Sequence, residues 1–104
     1  MIIDDMPAGV QVGPTYYTIH CDELALLALR GLLGQAHERE QSIEIDPHQG
    51  PDMLAETLFH EVLHCVLFPV GLDDHVDEKV VRVICSSLFD TMRRNPALME
   101  ALLK

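Results

Sequence analysis

The sequence predicts an α+β domain in which a small antiparallel or mixed β-sheet packs on two main helices. Three observations lead there. The first half carries short segments enriched in β-branched and aromatic residues, Val10 to Cys21 and Ser42 to Asp46 among them. The second half carries two long segments of helical apolar period, residues 53–68 and 73–94. The 104 residues show no internal repeat or low-complexity stretch, and that length builds one domain with a real core. Strands followed by helices give the α+β arrangement.

In chain order, residues 1–9 read as a flexible tail and residues 10–104 as the single domain. Val10, Val12, Tyr17 and Ile19 mark a strand interrupted near Gly13-Pro14. Asp22 is placed to cap a short helix from Glu23 to about Arg30. Leu32 to Glu38 and Ser42 to Asp46 form a hairpin about Arg39-Glu40-Gln41; Ile43 and Ile45 alternate with polar neighbours, as in a half-buried strand. Asp46 to Pro51 is a loop by composition, and Asp52 would cap a helix running from Met53 to Phe68, closed by Pro69 and Gly71. Its stripe is Leu54, Leu58, Val62 and Val66, but Phe59, Leu63 and Leu67 spread apolar character around the wheel, so a buried, central helix is expected. A third helix starts at Asp73-Asp74, with Asp74 and Asp77 at capping-box spacing, and ends at Asn95-Pro96. Its stripe reads Val76, Val80, Ile84 and Leu88, and Ala97 to Leu103 adds a short last helix.

Composition narrows the function classes. The net charge is −10, from 17 acids against 7 bases, and the basic residues form no stripe. Nucleic acid binding requires clustered Lys and Arg, so it is not expected, and an acidic surface disfavours anionic membranes. The longest apolar run, Leu24 to Leu33, contains Arg30 and is too short to span a bilayer. Three cysteines, with no Cys-x-x-Cys, are not a disulfide framework. Free thiols and the absence of a basic leader at Met1 to Asp5 point to the cytoplasm.

One motif carries chemistry. His60-Glu61-Val62-Leu63-His64 fits His-Glu-x-x-His in mid-helix. Residues four apart differ by about 40° around a helix, so both imidazoles leave one face and can reach one zinc ion. Glu61 lies about 100° from His60, where it addresses a water on the metal rather than the metal itself. That makes His60 and His64 expected Zn2+ ligands and Glu61 the expected general base of a hydrolase. A third ligand is needed. The pattern with a third His after a Gly is absent, because Leu67 and Val70 occupy those positions. Asp73, Asp74, His75, Asp77 and Glu78 remain as candidates; helix capping competes for the acids. On the wheel, Asp77 projects nearer the apolar centre than Glu78, while Glu has the longer reach.

From about Val10 to Leu98 the chain resembles a family of small phage-associated zinc metallopeptidases, minimal zincins of the gluzincin style. The matching pieces are Val12-Gly13 with the strand after it, Gly34 before the hairpin, and Ser42-Ile43-Glu44-Ile45-Asp46. Further matches are Glu56 through His64, Glu78-Lys79-Val80-Val81, and Met92-Arg93-Arg94-Asn95-Pro96. The resemblance implies a minimal zincin-like fold and aligns the family's acidic ligand with Glu78. It also shows one departure, Cys65 where the family has Ala, read as a small buried hydrophobe or as a thiolate near the metal.

The expected function is zinc-dependent hydrolysis of a peptide bond in a protein or peptide substrate, which the strand Ser42 to Asp46 would hold along its edge. The alternatives are an inactive zincin-like binding module and a structural zinc protein. His20, His37, His48, His75, Tyr16 and Tyr17 are further candidates for a proton donor or oxyanion partner, without a spacing argument.

Overall fold

The computed structural model describes all residues from Met1 to Lys104 and is α+β, with four α-helices and a four-stranded mixed sheet. Strands β1 (Gly9–Val12) and β2 (Thr15–His20) form an antiparallel hairpin. A single interrupted strand is expected there, but Gly13 adopts a φ of +55° and reverses the chain. The expected tail is partly structured: Ile3–Asp5 forms a 3-10 turn, Met1 and Met6 pack on the core, and the Ala8 carbonyl accepts the Ile19 N–H at 2.9 Å.

Helix α1 (Glu23–Leu29) begins at Asp22, whose carboxylate accepts the Ala25 N–H at 2.8 Å, as the capping residue requires. Strands β3 (Gly34–His37) and β4 (Ser42–Ile45) pair antiparallel, and β4 runs parallel to β2 with Ile19 beside Ile43. The order β1-β2-β4-β3 puts β4 inside the sheet and β3 at its edge. The free edge expected at Ser42 to Asp46 therefore belongs to β3.

Tyr17 and Ile19 of β2 and Ile43 and Ile45 of β4 alternate inward and pack with Leu54 and Cys65 of α2 (Pro51–Leu67). Asp52 is not the cap of α2. Gly50 takes that place and Pro51 starts the helix, where its missing N–H costs nothing; Asp52 instead pairs with Arg93 at 2.7 Å. The buried line is Leu54, Thr57, Glu61 and Cys65, rotated from the expected stripe, and Val66 is exposed. A helix apolar around most of its circumference does not fix its own rotation.

Helix α3 (Glu78–Arg94) starts five residues later than expected. Residues 68–77 turn instead, and no Asp74–Asp77 capping box forms; Asp77 caps α3 by accepting the Lys79 N–H at 2.7 Å. The helix buries Val81 and Cys85 and leaves Val80, Ile84 and Leu88 between 44% and 49% exposed. It leans on α2, as in the contact of Phe59 with Phe89, and the sheet does not extend beneath its remaining apolar residues. Helix α4 (Pro96–Leu102) closes the chain. No helix is long and apolar enough to cross a membrane.

Gly34 fixes how closely β3 and α2 approach. A Cβ there would lie 2.8 Å from Thr57 Cγ2 and 3.1 Å from Glu61 Cγ. Gly34→Ala is expected to destabilise the fold by about 1–3 kcal/mol through overpacking, measured by chemical denaturation. An unchanged midpoint would show that β3 can withdraw from the helix at no cost.

Candidate metal centre

His60 and His64 stand one turn apart on α2 and face the start of α3. Their Nε2 atoms are 3.2 Å apart. Glu78, the first residue of α3, places Oε1 2.7 Å from His60 Nε2 and Oε2 3.1 Å from His64 Nε2. These three side chains form the group whose donor atoms lie within 4.8 Å of one another. Zinc bonds of about 2.0–2.1 Å in a tetrahedral site put ligand atoms roughly 3.3 Å apart, so a small opening around Glu78 suits the ion. Two nitrogens and one carboxylate are the donor set of a zinc site with a position left over for water or substrate.

Asp73, in the turn before α3, accepts a hydrogen bond from His64 Nδ1 at 2.6 Å. In the neutral imidazole this fixes the tautomer: with the proton on Nδ1, the Nε2 lone pair faces the cluster. Burial alone would lower the His64 pKa, but the Asp73 hydrogen bond and the charges of Glu61, Glu78 and Asp73 outweigh it and raise it. Among the acids considered as third ligands, Glu78 alone reaches both histidines, and Asp77 spends its carboxylate on the helix cap. The wheel argument for Asp77 assumes a helix already formed at Asp73, whereas Asp77 lies at its boundary. The sequence places Asp73 among possible ligands; its bond to Nδ1 depends on how the 68–77 turn folds back, and no spacing signals that.

Glu61 is 7% exposed and lies in the sheet-facing line of α2. Burial pushes its carboxyl up to about 7; nearby His64 and a hydrogen bond from the Ala36 backbone pull the other way, while Glu78 and Asp73 add to the rise. Cys65, one turn further on, is fully buried, and burial followed by the charges of Glu61 and Asp73 pushes its thiol up to about 12. It is outside the donor cluster and acts as a small buried hydrophobe.

A cleft of about 550 Å³ opens over the cluster, with Leu32 and Gly34 on one wall, Glu56 and His60 on α2, and Glu78 and Arg82 on α3. The remaining sequence candidates stand elsewhere. His37 pairs with Glu44 at 2.5 Å, His48 with Glu23 at 2.6 Å, and Tyr17 is in the core; His20, His75 and Tyr16 do not line the cleft. Comparisons with protein-family models, with curated proteins and with solved structures find no match to this chain. The reading of the centre therefore rests on its own geometry.

Three variants test the assignments. Glu78→Gln should lose zinc far more severely than the about ten- to hundredfold typical of an outer partner, whereas Asp73→Asn should fall within that range. Titration against a competing chelator measures both, and equal losses would merge the two roles. Asp77→Ala should cost about 1 kcal/mol of stability and keep the zinc. Loss of zinc from Asp77→Ala at full folding would return the ligand role to that residue.

Proposed function

We propose that this chain is a zinc-dependent peptidase in which His60, His64 and Glu78 hold the metal and Glu61 is the general base. The observation that carries this reading is the convergence of two imidazole nitrogens and one carboxylate, spaced 2.7 to 3.2 Å, beside a buried glutamate and below an open cleft. Zinc at this position supplies Lewis acidity, polarising the scissile carbonyl and easing the ionisation of water. Glu61 takes the proton of the attacking water and passes it to the departing amine. A neighbouring divalent cation favours the ionised, proton-accepting form.

The outer strand β3, next to Glu61, offers backbone groups to an extended peptide. The open cleft favours a catalytic centre over a closed structural site. We place the protein in the cytoplasm because Cys21, Cys65 and Cys85 are all unpaired.

Purified protein should contain about one zinc per chain, and His60→Ala or His64→Ala should abolish it. Glu61→Gln should retain zinc and lose hydrolysis of a quenched-peptide library. Metal-free wild-type protein after zinc supplementation would refute the centre. Zinc loss in Glu61→Gln equal to that in His60→Ala would make Glu61 a ligand instead.

A further inference from the structure

The cleft contains one cation whose bonding capacity is unused. Arg82 lies one turn after Glu78 and lines the same cleft. An acid four residues before an arginine is the favoured order for a helical ion pair. Here that pair does not form, because the Glu78 carboxylate is turned to His60 and His64. The other two carboxylates of the cleft are engaged as well. Glu56 accepts a hydrogen bond from Ser86, and Glu61 is buried against β3 beside Gly34. Arg93 and Arg94 of the same helix do find acids, Asp52 and Asp90. Arg82 thus has no ion-pair partner in a cleft holding three carboxylates, in a chain with 17 acids.

We propose that Arg82 determines specificity, selecting peptides that carry a carboxylate next to the bond to be cut. The proposal rests on the peptidase reading above and adds its substrate class. A guanidinium presents five N–H donors in a planar fork that matches a carboxylate in two parallel hydrogen bonds. With zinc in place, the two charges of the ion offset Glu61 and Glu78, so an incoming anion meets Arg82 without net repulsion from that pair. A peptide spanning the cleft is held by its backbone along β3 on one side and by its acidic group on α3 on the other. A peptide's carboxylate can be a side chain or the chain terminus, and the two differ in where they sit along the bound chain.

Hydroxamate peptides separate these possibilities without any need for turnover, since the hydroxamate anchors to zinc. One pair carries the hydroxamate at the amino end and a second pair at the carboxyl end; within each pair Glu replaces Gln, with other ends blocked. A fifth peptide has Gln, an amino-end hydroxamate and a free carboxyl terminus. Calorimetry on zinc-loaded protein should show at least one Glu peptide, or the free-terminus peptide, binding about tenfold or more tightly than its Gln counterpart. The winning compound identifies the source of the carboxylate. Arg82→Gln should erase that preference while leaving the Gln peptides at wild-type affinity, which also shows that the variant is folded and loaded. Arg82→Lys should keep part of it. Equal binding of every Glu or free-terminus peptide and its Gln counterpart by the wild type, or a preference that survives Arg82→Gln, overturns the role of Arg82 and leaves the zinc centre standing. Failure of every hydroxamate to bind zinc-loaded protein overturns the open, catalytic reading of the centre, and the specificity proposal with it.

Discussion

The burial of the Glu61 carboxylate is the constraint around which the rest of the centre is arranged. An ionisable group out of water costs several kcal/mol unless partners compensate it. Here the neighbours that favour the ionised form are the Ala36 backbone of β3 and the imidazole of His64 on the same helix, and a cation held by the neighbouring donors would add to them. Each of these requires close approach. Gly34 gives the strand that approach by having no side chain, and the one-turn spacing of His60 and His64 gives the helix its own contribution. A carboxylate at Glu61 would be a defect in an ordinary helix–sheet interface. Its position in the line of Leu54, Thr57 and Cys65 is intelligible as the place where the core hands over to the chemistry.

The sequence made the sheet and the motif legible for a physical reason. Strand alternation such as Ile43 and Ile45 between polar neighbours records which face is buried, and the capping side chain of Asp22 records where a helix begins. The His-Glu-x-x-His spacing records a shared face because helical geometry is fixed. The rotation of α2 and the start of α3 were less legible. In α2 the apolar residues surround most of the wheel, so the stripe through Val66 and the buried line through Glu61 have similar support in the sequence. Before α3, four acids offer several caps within six positions, and the choice of Asp77 depends on how the turn from Phe68 packs back against His64. The same turn decides that Asp73 supports one histidine while Glu78 approaches both. Hairpin β1–β2 illustrates a third limit: Gly13-Pro14 signals a break, but whether the chain bulges or reverses is settled by pairing with the rest of the sheet.

Helix α3 carries two unlike duties. One face closes on α2 through Val81, Cys85 and the ring of Phe89, and its first turn delivers Glu78. The neighbouring face, Val80, Ile84 and Leu88, remains half exposed, so this helix has less apolar anchorage than its sequence could supply. Polar links take up part of the difference: Arg93 to Asp52, and Ser86 to Glu56, both reach across to α2. Exposed ion pairs of this kind each contribute about 0–1 kcal/mol. The strongest candidate for joining the two helices is therefore the centre itself, where ligands from both would share one ion.

That conclusion follows from the donors as much as from the helices. His60 Nε2, His64 Nε2 and the Glu78 oxygens are electron-rich atoms packed 2.7 to 3.2 Å apart. Protons can reconcile part of such a cluster, since an imidazolium beside a carboxylate forms a good hydrogen bond. With His64 neutral they cannot satisfy all of it, because its one ring proton sits on Nδ1 towards Asp73 and its Nε2 lone pair then faces both a second imidazole and a carboxylate. A single cation satisfies the three together. Metal binding at such a site contributes to folding free energy as well as to chemistry, since the ligands come together only in the folded chain. An ion held there would therefore also fasten α3 to α2, and with it the helix whose Arg82 lines the cleft.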